Sequence, residues 1–384
     1  MPGSYRKRGK DSYLLEVCIG TDYTGKPIRY NKTVHCKSNK EADKELARFY
    51  TECEAGNYAK ESNYSIDQLC DLYMKEHAKH SVKTSTYSKY EVIIRNQIRP
   101  YIGSRKANKI TILQLQQWVN NLYESGLANK TVHCSFSLMR TIFTTAKRWQ
   151  LISSNPCEDV TLKPLRPAEA DFYNREEVLI LIDKIMALGV DELTYKVAVI
   201  LDLFTGLRAS EICGLKWQDI NLDDKVLTVE RNRSYVHGFG VVEDTPKTKK
   251  SQRTISIPSI CVDILKEYQI FQKKEKIRLG TKWINSEYVF VNEFGDAIFP
   301  RNINRWFPQF IKREGLRKIT FHQLRHTHTS ILDYLGVSEV QISKRLGHSQ
   351  LSTTRNTYTH IFNNSDQEAA EKMDNYFQKF VQQK

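Results

Sequence analysis

The chain lacks any long uninterrupted apolar run. Its most apolar stretch, VAVILDLF from Val197, is short and carries Asp202, which fits a buried helix better than a membrane span. It also lacks a C-x-x-C pair. The eight cysteines are dispersed, so neither a zinc ribbon nor a disulfide framework is expected; scattered thiols suit a reducing compartment and ordinary core positions. There is no internal repeat and no low-complexity tract. The N-terminal MPGSYRKRGKDSYLLEV is basic, but Glu16 breaks the apolar run that follows, so a signal peptide is not expected. Acidic residues are the minority charge: 58 Lys and Arg face 44 Asp and Glu, a net +14. An excess of that size points to a polyanionic partner, either nucleic acid or an acidic membrane surface. What is present in quantity is apolar residue, 40% of 384, enough for packed cores in two or three domains and against global disorder.

Three segments follow one another. From Met1 to about Gly56, YLLEVCIG, IRYNKTVHC and the stretch around TDYTGKP read as strands, with a turn at Gly25–Pro27. Ala42, Leu46, Phe49, Tyr50 and Cys53 then recur at helical spacing, with Asn39 as the expected N-cap and Gly56 as the stop. Arg6, Lys7, Arg8, Lys10, Arg29 and Lys32 dot the strands, and a basic sheet can enter a DNA groove; an ordinary solvated strand face is the alternative. From Ser65 to about Asp159 four apolar patterns of period 3.6 predict a helical bundle, punctuated by Gly103, Gly126 and Asn155-Pro156. Lys83, Lys89, Arg95, Arg105 and Lys106 are among the cations that make it basic. TLKPLRPAEADF, residues 161–172, has two prolines and no periodicity and reads as a linker. Beyond it a larger mixed domain is expected. Its first helices fall at Arg175–Leu188, Glu192–Thr205 and Ala209–Leu215, its strands at Lys225–Glu230, Gly240–Asp244 and Arg253–Ile257, and further helices follow.

The histidines raise a choice between metal and phosphate. His322 and His326 in FHQLRHTHTS share a helix face, but the position that would hold a catalytic glutamate holds Gln323, and Arg325 puts a fixed cation beside the supposed ligands. No metal is therefore expected. A phosphate fits better, because a guanidinium fork matches phosphate oxygens and histidine can donate to them or move a proton. TGLRASEI places Arg208 between a glycine turn and a helix start, with Glu211 able to hold a neighbouring cation. TPKTKKSQRTISIP puts Lys247 in a connection between strands, LGHSQ adds His348, and Tyr358 sits in TTRNTYTH among small polar residues. His326 and His328 read as core or supporting histidines.

These pieces, in this order, resemble the tyrosine recombinases, the integrase family of phages and conjugative transposons. The resemblance implies a multidomain fold. Its parts are a small α+β module with a three-stranded sheet (1–58, arm-type DNA binding), an all-α core-binding bundle (63–160, SAM-like), a linker (161–172), and a mixed, mainly helical catalytic domain (173–384) ending in a helix at 366–384. It implies roles as well: Tyr358 as nucleophile, Arg208 and Arg325 on the non-bridging oxygens, Lys247 as general acid, His322 as general base or proton shuttle, His348 as an oxygen ligand, and Glu211 supporting the arginines. His348 and Tyr358 are ten residues apart, one more than in many members. Within the tail, Met373, Tyr376, Phe377, Phe380 and Val381 follow the spacing of an amphipathic helix; it either packs on its own domain or, as the resemblance implies, is donated to a neighbouring subunit.

The expected function is thus site-specific recombination of double-stranded DNA, by a prokaryotic, cytoplasmic, nucleoid-associated enzyme that needs no cofactor. Partners are core and arm attachment sites, a homo-tetramer on DNA, an excisionase and a host DNA-bending protein, and no membrane. A type IB topoisomerase or a non-catalytic architectural protein are the rivals; the first shares the chemistry, and the second would bind and bend without covalent linkage.

Overall fold

The strand alternation and helical periodicity read above map onto two compact units, Met1–Arg166 and Pro167–Lys384. The structure, a computed structural model, describes residues 3–21, 25–54, 64–165, 171–244 and 252–347.

The first unit opens with an antiparallel sheet in the order β1 (Gly3–Lys7), β2 (Ser12–Thr21), β3 (Pro27–His35). Alternate residues of β2, Tyr13, Leu15 and Val17, are buried, because a strand presents every second side chain to one face. Helix α1 (Asn39–Glu54) covers that face with Ala42, Leu46, Phe49 and Cys53; burying Phe49 alone contributes roughly 2 kcal/mol. Two expectations change. The strand GSYRK was not expected; it has only Tyr5 as an apolar signal and is defined by pairing with β2, while residues 22–24 of the stretch around TDYTGKP lie outside the described residues. The cap of α1 is Ser38, whose hydroxyl accepts the Glu41 N–H at 3.3 Å, while Asn39 instead accepts the Tyr13 hydroxyl at 2.8 Å. Gly56 lies outside the described residues.

The helical part of this unit runs through α2 (Ile66–Tyr73), α3 (Lys79–Ser81), α4 (Thr84–Ile93), α5 (Arg99–Ile102), α6 (Ile112–Glu124) and α7 (Asn129–Arg148). Five-residue π segments, Met74–Ala78 and Ile94–Ile98, join α2 to α3 and α4 to α5. Capping boxes at Ser65/Gln68 and Thr111/Gln114 start α2 and α6. Trp118 is buried in the core, and its indole N–H donates to the Gln97 carbonyl at 2.7 Å inside the second π segment. Residues 161–165, the first part of the expected linker, are hydrogen-bonded to the bundle: Thr161 exchanges two hydrogen bonds with Gln116, and the Lys163 and Pro164 carbonyls meet His133 and Asn129.

The second unit contains α8 (Arg175–Met186), α9 (Leu193–Thr205), α10 (Ala209–Ile212), β4 (Ile220–Asn221), β5 (Val226–Val229), β6 (Asn232–Val236), β7 (Gly240–Asp244), β8 (Arg253–Ser256), α11 (Ser259–Leu279), α12 (Pro300–Arg313), α13 (Phe321–Tyr334) and α14 (Glu339–Leu346). Helix α9 is buried almost all round, Asp202 included, and forms the centre of the core. Among the described residues no helix is long and apolar enough to cross a membrane. Strands β4, β5 and β8 form one antiparallel sheet, and β6 and β7 a separate hairpin. Strand β6 was not expected because one of its two buried positions is Arg233, which donates to the Ala297 and Ile298 carbonyls and lies over the Tyr288 and Phe299 rings. A cation in that role hides the apolar alternation.

Candidate active site

Helix α9 ends on Gly206, whose φ of +66° is the left-handed cap. Two residues later the extended backbone of Arg208 starts α10, so the turn in TGLRASEI aims the Arg208 side chain outward while Glu211, one turn on, faces inward. A side chain has no room at Gly206: its Cβ would sit 2.6 Å from Leu346 Cδ2 and 2.7 Å from His328 Cδ2.

Glu211 is the centre of the arrangement. Its carboxylate is 2% exposed, and a buried carboxylate needs partners. Oε1 accepts Arg208 Nη1 at 2.8 Å and Arg253 Nη1 at 3.2 Å. Oε2 accepts the Arg208 backbone N–H at 2.9 Å and Arg253 Nη2 at 2.9 Å, with Arg325 Nη1 at 4.0 Å. Burial works to raise the Glu211 pKa, but Arg253, Arg325 and Arg208 together hold it down at about 2. It is an anion at any physiological pH.

Arg325 comes from α13 and is almost fully buried. Its Nη1 donates to the Gly206 carbonyl and its Nη2 to the Leu346 carbonyl at 2.7 Å, that is, to backbone at the ends of α9 and α14. Burial and then the Arg208 charge push its pKa down to about 9, which still leaves it a cation at neutral pH. Arg208 keeps 38% of its side chain exposed. One guanidinium is thus fixed in the wall and one reaches out from it, the arrangement that binds an anion. His322, exposed in the first turn of α13, lies edge-to-face with His326 at 5.2 Å between ring centres. Lost hydration, then Arg325 and Arg208, lower its pKa, so it is a neutral proton acceptor at pH 7.

His328 lies on the buried side of α13. Its Nδ1–H donates to the Leu203 carbonyl at 2.9 Å and its Nε2 accepts Arg345 Nε–H at 3.3 Å. Those two partners fix one neutral tautomer, and burial followed by the Arg345 charge pushes its pKa down to about 3. Arg345 also donates to the Phe204 and Ser256 carbonyls, and Arg253 Nε to the Arg345 carbonyl at 2.7 Å. Arg253 and Arg345 were missed in the sequence. Beneath this network is Asp202, fully buried, with neither carboxyl oxygen hydrogen-bonded among the described residues.

The structure brings Arg208, Glu211, His322 and Arg325 together. Lys247, His348 and Tyr358 lie outside the described residues, as does the tail at 366–384. In the N-terminal sheet the register separates the basic residues. Arg6 opposes Leu14 and Arg29 opposes Cys18 on the open face, whereas Lys32 opposes Leu15 on the face covered by α1. Its amine binds Glu52 at 3.0 Å. Lys7 lies over the Tyr13 ring on that same side. Lys32 and Lys7 therefore do not share the open face, a correction to the expected basic sheet. Arg8, Lys89, Arg95, Arg105 and Lys106 are exposed, and Lys83 half-buried.

Comparison with known proteins places the chain in a family. Residues 172–365 match the model of the phage integrase family, and residues 66–123 that of the phage integrase N-terminal SAM-like domain. A "Tyrosine recombinase XerC-like" protein of Caldanaerobacter subterraneus subsp. tengcongensis is 31% identical, covering 97% of this chain and 98% of its own. The ICEBs1 integrase of Bacillus subtilis is 30% identical over 97% and 99%. Among solved structures, the Tn1549 transposon integrase in complex with transposon right end DNA superposes with a TM-score of 0.67 at 22% identity, over 80% of this chain and 99% of that one. A lambda integrase dimer bound to a core site gives 0.56 at 19%, over 92% and 94%. With a family model over half its length and relatives matched end to end, the chain belongs to the phage integrase family of tyrosine recombinases.

Proposed function

We propose that this integrase cuts and rejoins double-stranded DNA at specific sites through a 3′-phosphotyrosyl intermediate, inserting and excising a phage or conjugative transposon. The observation that carries the reading is the pairing of a wall-fixed Arg325 with an outward Arg208 around one buried carboxylate. A phosphodiester is anionic and resists attack, so fixed positive charge at the pentacoordinate transition state is the first requirement. Tyr358 forms a bond from its oxygen to phosphorus as the P–O5′ bond breaks. His322 takes the tyrosyl proton, and Lys247 protonates the leaving 5′-oxygen. Arg208, Arg325 and His348 hold the non-bridging oxygens. Because the covalent link conserves the bond energy, rejoining needs neither nucleotide nor metal.

The domain roles follow the same reading: residues 1–58 bind arm sites, 63–160 clasp the core site, 161–172 link, and 173–384 catalyse. Arg6, Arg8 and Arg29 would contact arm DNA, and Lys83, Lys89, Arg95, Arg105 and Lys106 core DNA. The working unit is a tetramer on prokaryotic nucleoid DNA in the cytoplasm, with an excisionase and a host bending protein as accessory partners.

The test is a trapping assay with a nicked suicide duplex carrying the junction sequence of the element, without metal. Wild type gives a covalent protein–DNA species on a denaturing gel and Tyr358→Phe gives none. An adduct that persists in the variant would place the nucleophile elsewhere.

A further inference from the structure

We infer that Arg253 is a positioning residue of this site: it takes up the Glu211 carboxylate and so leaves the charges of Arg208 and Arg325 for the scissile phosphate. The inference rests on the phosphodiester reading above and extends it to a residue outside the expected catalytic set.

Three guanidiniums surround one buried carboxylate, and they engage it differently. Arg253 alone meets both oxygens side on, Nη1 to Oε1 at 3.2 Å and Nη2 to Oε2 at 2.9 Å. Its side chain is 7% exposed, so it is not placed to meet DNA. Arg208 gives one guanidinium nitrogen to Glu211, and Arg325 stands at 4.0 Å. A planar fork on a carboxylate is the strongest of these pairings. With the fork in place, Glu211 orients the other two cations without neutralising them.

Arg253 also ties together the segments that carry the remaining candidates. It is the first residue of β8, directly after the connection that holds Lys247. Its Nε donates to the Arg345 carbonyl in the last turn of α14. Its Nη1 lies 2.8 Å from where a side chain at Gly347 would begin. Gly347, at φ +67°, caps α14 and passes the chain to His348. One side chain thus fixes α10, the start of β8 and the exit of α14 relative to each other. Without it, Glu211 has spare acceptor capacity in a dry site and draws Arg208 and Arg325 inward, away from the phosphate.

The experiment uses the full chain, a nicked suicide duplex and single-turnover conditions at saturating DNA. Wild type must form the adduct and Tyr358→Phe must not; absence of wild-type adduct would overturn the phosphodiester reading and this one together. Arg253→Met is expected to slow cleavage about 10²-fold, the scale of a small misplacement at a reacting centre, with DNA affinity within about three-fold. Adding Glu211→Gln to it should restore about ten-fold, because a neutral amide no longer competes for Arg208, so the two changes are coupled. If Arg253→Met does not fold, Arg253→Lys takes its place; a point charge cannot span both oxygens, and the same rescue by Glu211→Gln is expected. With wild-type cleavage intact, a loss under about three-fold, or single-variant losses that simply multiply in the double variant, overturns the positioning role alone.

Discussion

The Nε–H of Arg345 points at Nε2 of His328, 3.3 Å away, and so forbids that nitrogen a proton. The folded His328 pKa of about 3 lies below the ordinary 6.5. Between those values the unfolded chain binds the extra proton, so the stabilisation is complete above about pH 6.5 and is lost as pH falls. Acidification from neutral pH to about pH 5 should lower the unfolding free energy by up to roughly 1.4 kcal/mol per pH unit below 6.5 from this group. Denaturant melts of His328→Gln should show a shallower acid slope than wild type. Parallel slopes would count against the assigned tautomer.

Asp202 has the opposite sign. Burial raises its pKa well above the usual carboxylate value, and Arg325 only partly offsets this. Its neutral form is favoured in the fold, so its contribution is full below about pH 4 and is lost as pH rises. Asp202→Asn should leave stability near wild type in acid and exceed it increasingly toward neutral pH. Thermal melts across that range check the trend, and a variant less stable than wild type at pH 7 contradicts it.

Arg325→Lys keeps a charge but cannot reach the Gly206 and Leu346 carbonyls with one planar group. Cleavage should fall by about 10²–10³, the usual loss for one transition-state donor, while DNA affinity stays within a few fold. Arg208→Ala should give the same division. Equal losses in binding and cleavage would assign these residues to DNA capture instead.

Gly206→Ala meets both a left-handed φ and contacts at 2.6 and 2.7 Å. The backbone alone costs about 1–2 kcal/mol, and the crowding with Leu346 and His328 adds to it. A melting temperature unchanged from wild type would show that the turn relaxes at no cost.

Much of this was legible in the sequence because it is local. TGLRASEI carries a glycine cap, a helix start and a carboxylate one turn on, and HQLRHTHTS carries a face of period 3.6. What escaped was non-local. Arg253 stood at the end of a run of cations in TKKSQR, with nothing to single it out by composition. Its phase was the signal: in RTISI it shares a strand face with Ile255 and Ile257, both buried. A cation in step with buried isoleucines calls for a buried carboxylate. Strand β1 escaped for a similar reason, since its register is imposed by β2. Charge alone does not say which side of a sheet Lys32 takes; its pairing with Leu15 does.

Arg325 is held by main-chain oxygens at the ends of α9 and α14, segments about 140 residues apart in the chain. Helix C-termini carry only partial negative charge, so they steady the cation without cancelling it. During synthesis the α9 end of this socket emerges long before the α14 end. A nascent or truncated chain that stops before Leu346 has the arginine but only half its holder. The charge is therefore held on both sides only once the end of α14 has been made.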